Sequence, residues 1–302
     1  MADDKDDTIH KLRQILSDRE KDLTLFRTEL AKANKRLEAL IEQSSHQLKL
    51  AKQVQQTLVP REFPHIPGFE FSTKFLASAI RGGDYYDIFE HADKYRFGIL
   101  LASCSGYSMS SLLLSVLLRM TTQLQSKKSN QPSEMLEQIN AQMAETIVEK
   151  DSANIFYGIL DRRRFTMTYA SAGEIVGLIQ RADTGNLESL QMGEVPLQKG
   201  RNGAFQNHVL NLSPLDRVVL CTDGVVQRTN EASETFGKER IFKAILASAK
   251  GNVHDIRNEI LFQNDRFAQN KEAPHDMTVI AVEVKKRIVK LARVPDDDDD
   301  PG

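Results

Sequence analysis

The apolar residues at the start of the chain keep a seven-residue beat. Ile9, Leu16, Leu23, Leu30 and Leu37 form one set, and Leu12, Phe26, Ala33 and Leu40 the other, with Arg19 as the polar break. Residues 5–58 contain neither Gly nor Pro and are rich in Lys, Glu, Leu, Gln and Ala. An a/d seam of this kind predicts one long helix with a narrow apolar stripe that has to be buried. A parallel homodimer through a coiled-coil segment, residues 1–58, is the simplest burial. Packing of the stripe against the protein's own globular part is the alternative.

The beat stops at Leu58-Val59-Pro60. The prolines of Pro60-Arg-Glu-Phe-Pro-His-Ile-Pro-Gly68 disfavour helix in the residues before them, so a boundary falls here. Beyond it come short alternating or apolar runs at 69–76, 95–101, 155–160, 165–170, 176–180, 218–221 and 279–284, most of them bounded by Gly, Asp or Asn. These predict strands. Helical stretches are expected at Ser108–Gln125, at Pro132–Lys150 and between Lys238 and Gln269. Many short strands with a few grouped helices make an α+β fold, a sandwich of sheets flanked by helices, over residues 59–287. The acidic run Asp296–Asp300 repels itself, and 288–302 is expected to be a disordered tail.

Composition narrows the class. At 302 residues, 40% hydrophobic and 27% charged, the chain can build one large core plus an appendage. A net charge of −2 and the lack of a basic, aromatic-interleaved patch argue against a nucleic-acid partner. Only two cysteines occur, Cys104 and Cys221, each inside an apolar run, and a disulfide-stapled secreted domain would want more of them at regular spacing. The acidic start lacks an apolar core of the signal-peptide kind, and the Leu112–Leu118 run is too short to span a bilayer. A cytoplasmic protein is the expectation.

Four separated motifs carry candidate chemistry. They are Arg81-Gly-Gly-Asp-Tyr-Tyr-Asp87, Ala102-Ser-Cys-Ser-Gly-Tyr-Ser108, Ala170-Ser-Ala-Gly-Glu174, and the pair Thr222-Asp-Gly-Val225 with His275-Asp-Met-Thr278. Taken singly, Gly-Gly-Asp and Asp-Gly read as turns. Taken in order, they place carboxylates on loops at one end of a sandwich, which suits a hard divalent cation such as Mg²⁺ or Mn²⁺. Two such ions clamp a phosphate and activate water for in-line attack. The serines near Cys104 form no triad with a His-Asp pair. Cys104 itself has nothing beside it to lower its pKa, and His65, His91 and His208 read as surface or hydrogen-bonded residues.

This order of motifs resembles the SpoIIE/RsbU branch of the PPM-type metal-dependent serine/threonine phosphatases, over about residues 50–285. The segment Gly82-Gly-Asp-Tyr-Tyr-Asp87 is the most specific match, and Ala51–Pro60 is similar to the family's lead-in. The resemblance implies a PPM-type sandwich with Asp84 and Asp223 as metal-site and catalytic carboxylates. It places His275 and Asp276 at the last metal motif. It also implies Mn²⁺ or Mg²⁺ as cofactor, and as partner a phosphoprotein such as an anti-anti-sigma-type regulator of a bacterial partner-switching pathway.

Several positions depart from the pattern. Ser103 stands where the family has a metal-bridging aspartate, and His275 where it has the first of two acidic residues. Glu174 replaces a histidine. A neutral hydroxyl cannot supply the charge that holds two cations together. The resulting expectation is a kept fold with a lost reaction: a signalling pseudophosphatase that binds a phosphoprotein and holds one weakly bound ion or none. An active phosphoserine/phosphothreonine phosphatase with an altered site, and a coiled-coil structural adaptor, are the alternatives.

Overall fold

The heptad segment folds as a single helix, α1 (Ala2–Leu58). The computed structural model describes residues 2–58, 63–78, 83–104, 131–146, 151–200, 204–269 and 271–285. The chain divides into two compact units, Met1–Ala51 and Lys52–Gly302. Taken by itself, the first unit leaves Leu16, Leu23, Phe26, Leu30, Leu37 and Leu40 all more than half exposed.

The second unit is built on two antiparallel sheets. The first has the order β1 (Phe69–Leu76), β11 (Met277–Val284), β10 (Arg217–Cys221), β6 (Val176–Gln180), β7 (Leu187–Ser189). The second has the order β2 (Asp84–Glu90), β3 (Arg96–Cys104), β4 (Ser152–Asp161), β5 (Thr166–Ala172), β9 (His208–Asn211), with β8 (Leu197–Gln198) pairing β4. Helix α2 (Pro132–Thr146) covers the second sheet. Helices α4 (Gly237–Ala247) and α5 (Val253–Ala268) cover the first.

Side-chain alternation explains the layering. In β3, Phe97, Ile99 and Leu101 enter the core between the sheets, and Leu100 and Ala102 face α2. In β11, Ile280, Val282 and Val284 point inward, and Val279 and Ala281 meet α4 and α5. Both strands are therefore buried on both faces and read as continuous apolar runs rather than as alternation.

Two segments read as turns are regular structure. Asp84 begins strand β2, because Tyr85, Tyr86 and Ile88 are buried on alternating sides. Asp223 begins a four-residue helix, α3 (Asp223–Val226). Gly224 permits it, since a Cβ there would stand 1.9 Å from the Asp276 carbonyl oxygen. Short β7, β8 and β9 carry too few apolar residues to announce themselves. The expected helix at 108–125, with its Leu112–Leu118 run, and the tail at 288–302 lie outside the described residues, as do Gly82 and Gly106.

Candidate functional site

The motifs converge at one end of the sandwich because the strands that carry them end there. Asp84 opens β2 and pairs across the sheet with Ser103, next to the end of β3. Ser103 in turn pairs with Asn154 on β4. From the other sheet, β10 delivers Thr222 and Asp223 just past its last residue, and β11 is preceded by His275 and Asp276.

Asp84 links the two sheets. Its Oδ2 accepts hydrogen bonds from Thr222 Oγ1 and Thr278 Oγ1, both at 2.7 Å. Thr222 and Thr278 also hold each other: the Thr278 N–H donates to Thr222 Oγ1 at 2.9 Å, and the Thr222 N–H to the Thr278 carbonyl at 3.1 Å. Asp84 is only 2% exposed. Burial first, then the nearby Asp276 and Asp223 carboxylates, push its pKa well above the usual carboxylate range, and the two threonine hydroxyls offset this only in part.

Asp276 serves the backbone. Its Oδ1 accepts from the Ser78 N–H at 2.7 Å, and its Oδ2 from the N–H groups of Gly83 and Asp84 at 2.9 and 3.3 Å. It thereby holds Ser78, ahead of the Gly-Gly-Asp motif, and the motif's own Gly83 and Asp84. Asp223 is half-buried at the start of α3, and its Oδ1 accepts from Ser103 Oγ at 2.5 Å. His275 is partly exposed and lies against the bare face of Gly224. Glu174 is exposed, with its Oε2 accepting from Gln227 Nε2 at 3.4 Å and its N–H donating to Asn154 Oδ1 at 3.1 Å. Gly173 makes that turn possible at φ 74°, where a Cβ would strike Asn154 Oδ1 at 2.1 Å.

Asp84, Asp223, His275 and Asp276 thus meet at one end of the fold. The hydroxyls of Thr222, Thr278 and Ser78 and the amide of Asn154 belong to the same cluster without having been assigned a role from sequence. Thr222 and Thr278 were visible inside the quoted motifs, but nothing local to either shows that it reaches a carboxylate on the opposite sheet. Cys104 is buried beside the cluster, and its thiol is pushed far up by burial and the neighbouring aspartates. His91 is buried away from it, paired with Tyr157 OH at 2.8 Å.

The donor set does not fit a two-ion centre. A pair of hard cations takes several carboxylate oxygens, including one that bridges them. Here Ser103 places a hydroxyl proton on Asp223, and Asp276 is engaged by backbone amides. Among the described residues no group of three or more His, Cys, Asp and Glu side chains is arranged to hold a metal ion.

Comparison with known proteins agrees with the fold and the motif order. RsbP of Bacillus subtilis (strain 168), described as a phosphoserine phosphatase, is 23% identical over 249 residues, 80% of this chain and 59% of RsbP. RsbU of the same organism, described likewise, is 21% identical over 195 residues, 65% of this chain and 58% of RsbU. The chain therefore spans about three fifths of the length of these two curated relatives. Among solved structures, the SiaA-PP2C domain of Pseudomonas aeruginosa superposes with a TM-score of 0.68 at 18% identity, covering 81% of this chain and 98% of that domain. The catalytic domain of the phosphatase PstP, solved with 2 manganese ions, superposes with a TM-score of 0.53 at 13% identity, covering 72% of this chain and 99% of that one. At these identities the structures establish the fold. The model of the family "Stage II sporulation protein E (SpoIIE)" matches residues 93–285, more than half of the chain. The chain belongs to the SpoIIE family and carries a SpoIIE/RsbU-like PPM phosphatase domain.

Proposed function

We propose that this chain is a signalling regulator whose SpoIIE/RsbU-type domain binds a phosphoprotein without hydrolysing it. One observation carries the reading: the Ser103 hydroxyl donates to Asp223 at 2.5 Å. A hydroxyl so placed occupies a lone pair of one of the two retained candidate ligands and brings no charge of its own. It substitutes for a metal-bridging carboxylate neither electrically nor geometrically. His275 repeats the loss of charge at the last motif. The partner that fits the resemblance is an anti-anti-sigma-type phosphoprotein. Mn²⁺ or Mg²⁺ is then held as one weak ion or not at all.

The stripe on α1 supports a second element of the proposal. Six large apolar side chains of the heptad stripe, Leu16, Leu23, Phe26, Leu30, Leu37 and Leu40, are more than half exposed, and a second copy of the helix covers them best. Dimerisation through residues 1–58 is the route by which input reaches the domain.

The competing reading, an active phosphoserine/phosphothreonine phosphatase, rests on the carboxylates of Asp84 and Asp223, which remain together. The test is a calorimetric titration of Mn²⁺ and Mg²⁺ run beside hydrolysis of a phosphoserine protein substrate. The proposal expects weak or no binding and no turnover in the wild type. It expects the double variant Ser103→Asp, His275→Asp to gain Mn²⁺-dependent turnover by at least about a hundredfold. Wild-type turnover matching that of an active phosphatase sinks it.

A further inference from the structure

Helices α4 and α5 leave between them a groove of about 470 Å³ that shares no residue with the Asp84–Asp223 cluster. Its floor is aromatic: the rings of Phe236 and Phe267 meet edge-on with centroids 5.6 Å apart. Its rim is basic, carrying Arg240, Lys243 and Arg266. The Arg240 guanidinium lies 4.3 Å from the centre of the Phe267 ring, and its Nη1 donates to the carbonyls of Thr235 and Phe236 at 3.0 and 2.9 Å. That side chain is therefore held in place before anything binds. The acidic residue of the lining, Glu259, accepts from Gln263 Nε2 at 2.7 Å. Among the described residues, Arg240, Lys243 and Arg266 form no ion pair. Three cations gathered on one groove repel one another, and a carboxylate-rich segment relieves that repulsion.

The chain contains such a segment. Asp296–Asp300 is a run of five carboxylates, and it follows β11. The last residues of β11 lie beside the α4–α5 turn. Arg217, whose Nε donates to Glu283 of β11 at 2.8 Å, also donates to the Ala249 and Gly251 carbonyls in that turn. Residues 286–295, extended at about 3.3 Å each, reach roughly 33 Å. Helix α4 is only about 16 Å long at 1.5 Å per residue, so the run reaches any point along the groove.

We propose that the α4–α5 groove is the intramolecular docking site of the Asp296–Asp300 run. Five carboxylates meet three cations there, and an acidic segment of any other protein has to displace them to occupy the groove.

The full chain tests this by zero-length carbodiimide cross-linking read by mass spectrometry, using a mixture of ¹⁴N- and ¹⁵N-labelled protein. The expected product joins Lys243 to a residue of 296–300 of the same isotope. Mixed-isotope links in the proportion expected of random pairing mean that a second copy fills the groove, and they overturn the proposal. Acylation of Lys243 gives an independent reading. Changing Asp296–Asp300 to asparagine in the full chain is expected to speed it by at least about threefold, as is adding about 0.5 M salt, with Lys250 unaffected. The surface change Arg266→Glu is expected to lower the yield of the cross-link. Lys243 acylation at the same rate with aspartates or asparagines overturns the proposal.

Discussion

At the scale of single residues, the buried carboxylate of Asp84 depends on two hydroxyls contributed by the opposite sheet. Thr222→Val removes a donor to Asp84 and also the acceptor of the Thr278 N–H, whereas Thr278→Val removes only a donor. Hydrogen bonds to charged groups are worth about 1.5–3 kcal/mol and neutral ones about 1 kcal/mol. In urea unfolding Thr222→Val should therefore cost more than Thr278→Val, by about 1 kcal/mol. Equal losses would mean that the Thr278 amide finds another partner. Burial raises the two thiols, that of Cys221 from 9.0 to about 12. The unfolded chain releases these protons at a lower pH than the folded one, so stability falls as pH rises above about 9 and keeps falling toward 12. Each thiol contributes at most about 1.4 kcal/mol per pH unit. The variant Cys104→Ala, Cys221→Ala should flatten this alkaline slope in pH-dependent melts, and alkylation of either cysteine should require unfolding.

At the scale of elements, the sheet that carries Asp223 contains a buried charge pair. Glu283 and Arg217 are cross-strand partners on β11 and β10, 2.8 Å apart and 7% and 13% exposed at their side chains. Removing one member leaves the other charge in the interior. Glu283→Ala is expected to destabilise by on the order of 3 kcal/mol, and Glu283→Gln, which keeps an acceptor for Arg217, by less. Helix α5 starts with a capping box in which Asn252 accepts from the His254 and Asp255 N–H groups, and Asp255 accepts from the Asn252 N–H. Asn252→Ala should cost about 1 kcal/mol in the same measurement. On α1 the test concerns association rather than folding of the domain. Leu23→Glu with Leu30→Glu in the full chain should halve the mass seen by light scattering, and an unchanged dimer mass would rule out the exposed stripe as its interface.

At the scale of the whole molecule, the fold brings chemistry-bearing residues from two sheets to one end, where hydrogen bonds join Asp84 to Thr222 and Thr278, and Ser103 to Asp223. The cluster works as a clasp between the sheets. These contacts tie Asp84 on one sheet to Thr222 and Thr278 beside the other without any bound ion.

Much of this was readable from the residues alone. The heptads of residues 9–40 specify a long helix because a seven-residue period has no other regular solution, and β1 and β6 have the limits that their turn residues suggest. The order of the motifs was enough for the resemblance to the family, and Gly224 of one of them sits where a Cβ would meet the Asp276 carbonyl. Other features were out of reach of local sequence. Asp84 reads as part of a turn until Tyr85 and Tyr86 find cores on opposite faces of a sheet, and β7 to β9 are too short for periodicity to register. The roles of Thr222, Thr278 and Asp276 were decided by contacts between residues 56 to 198 positions apart in the chain. A sequence states which hydroxyls and carboxylates are available, but only the packing of one sheet on the other determines which of them meet.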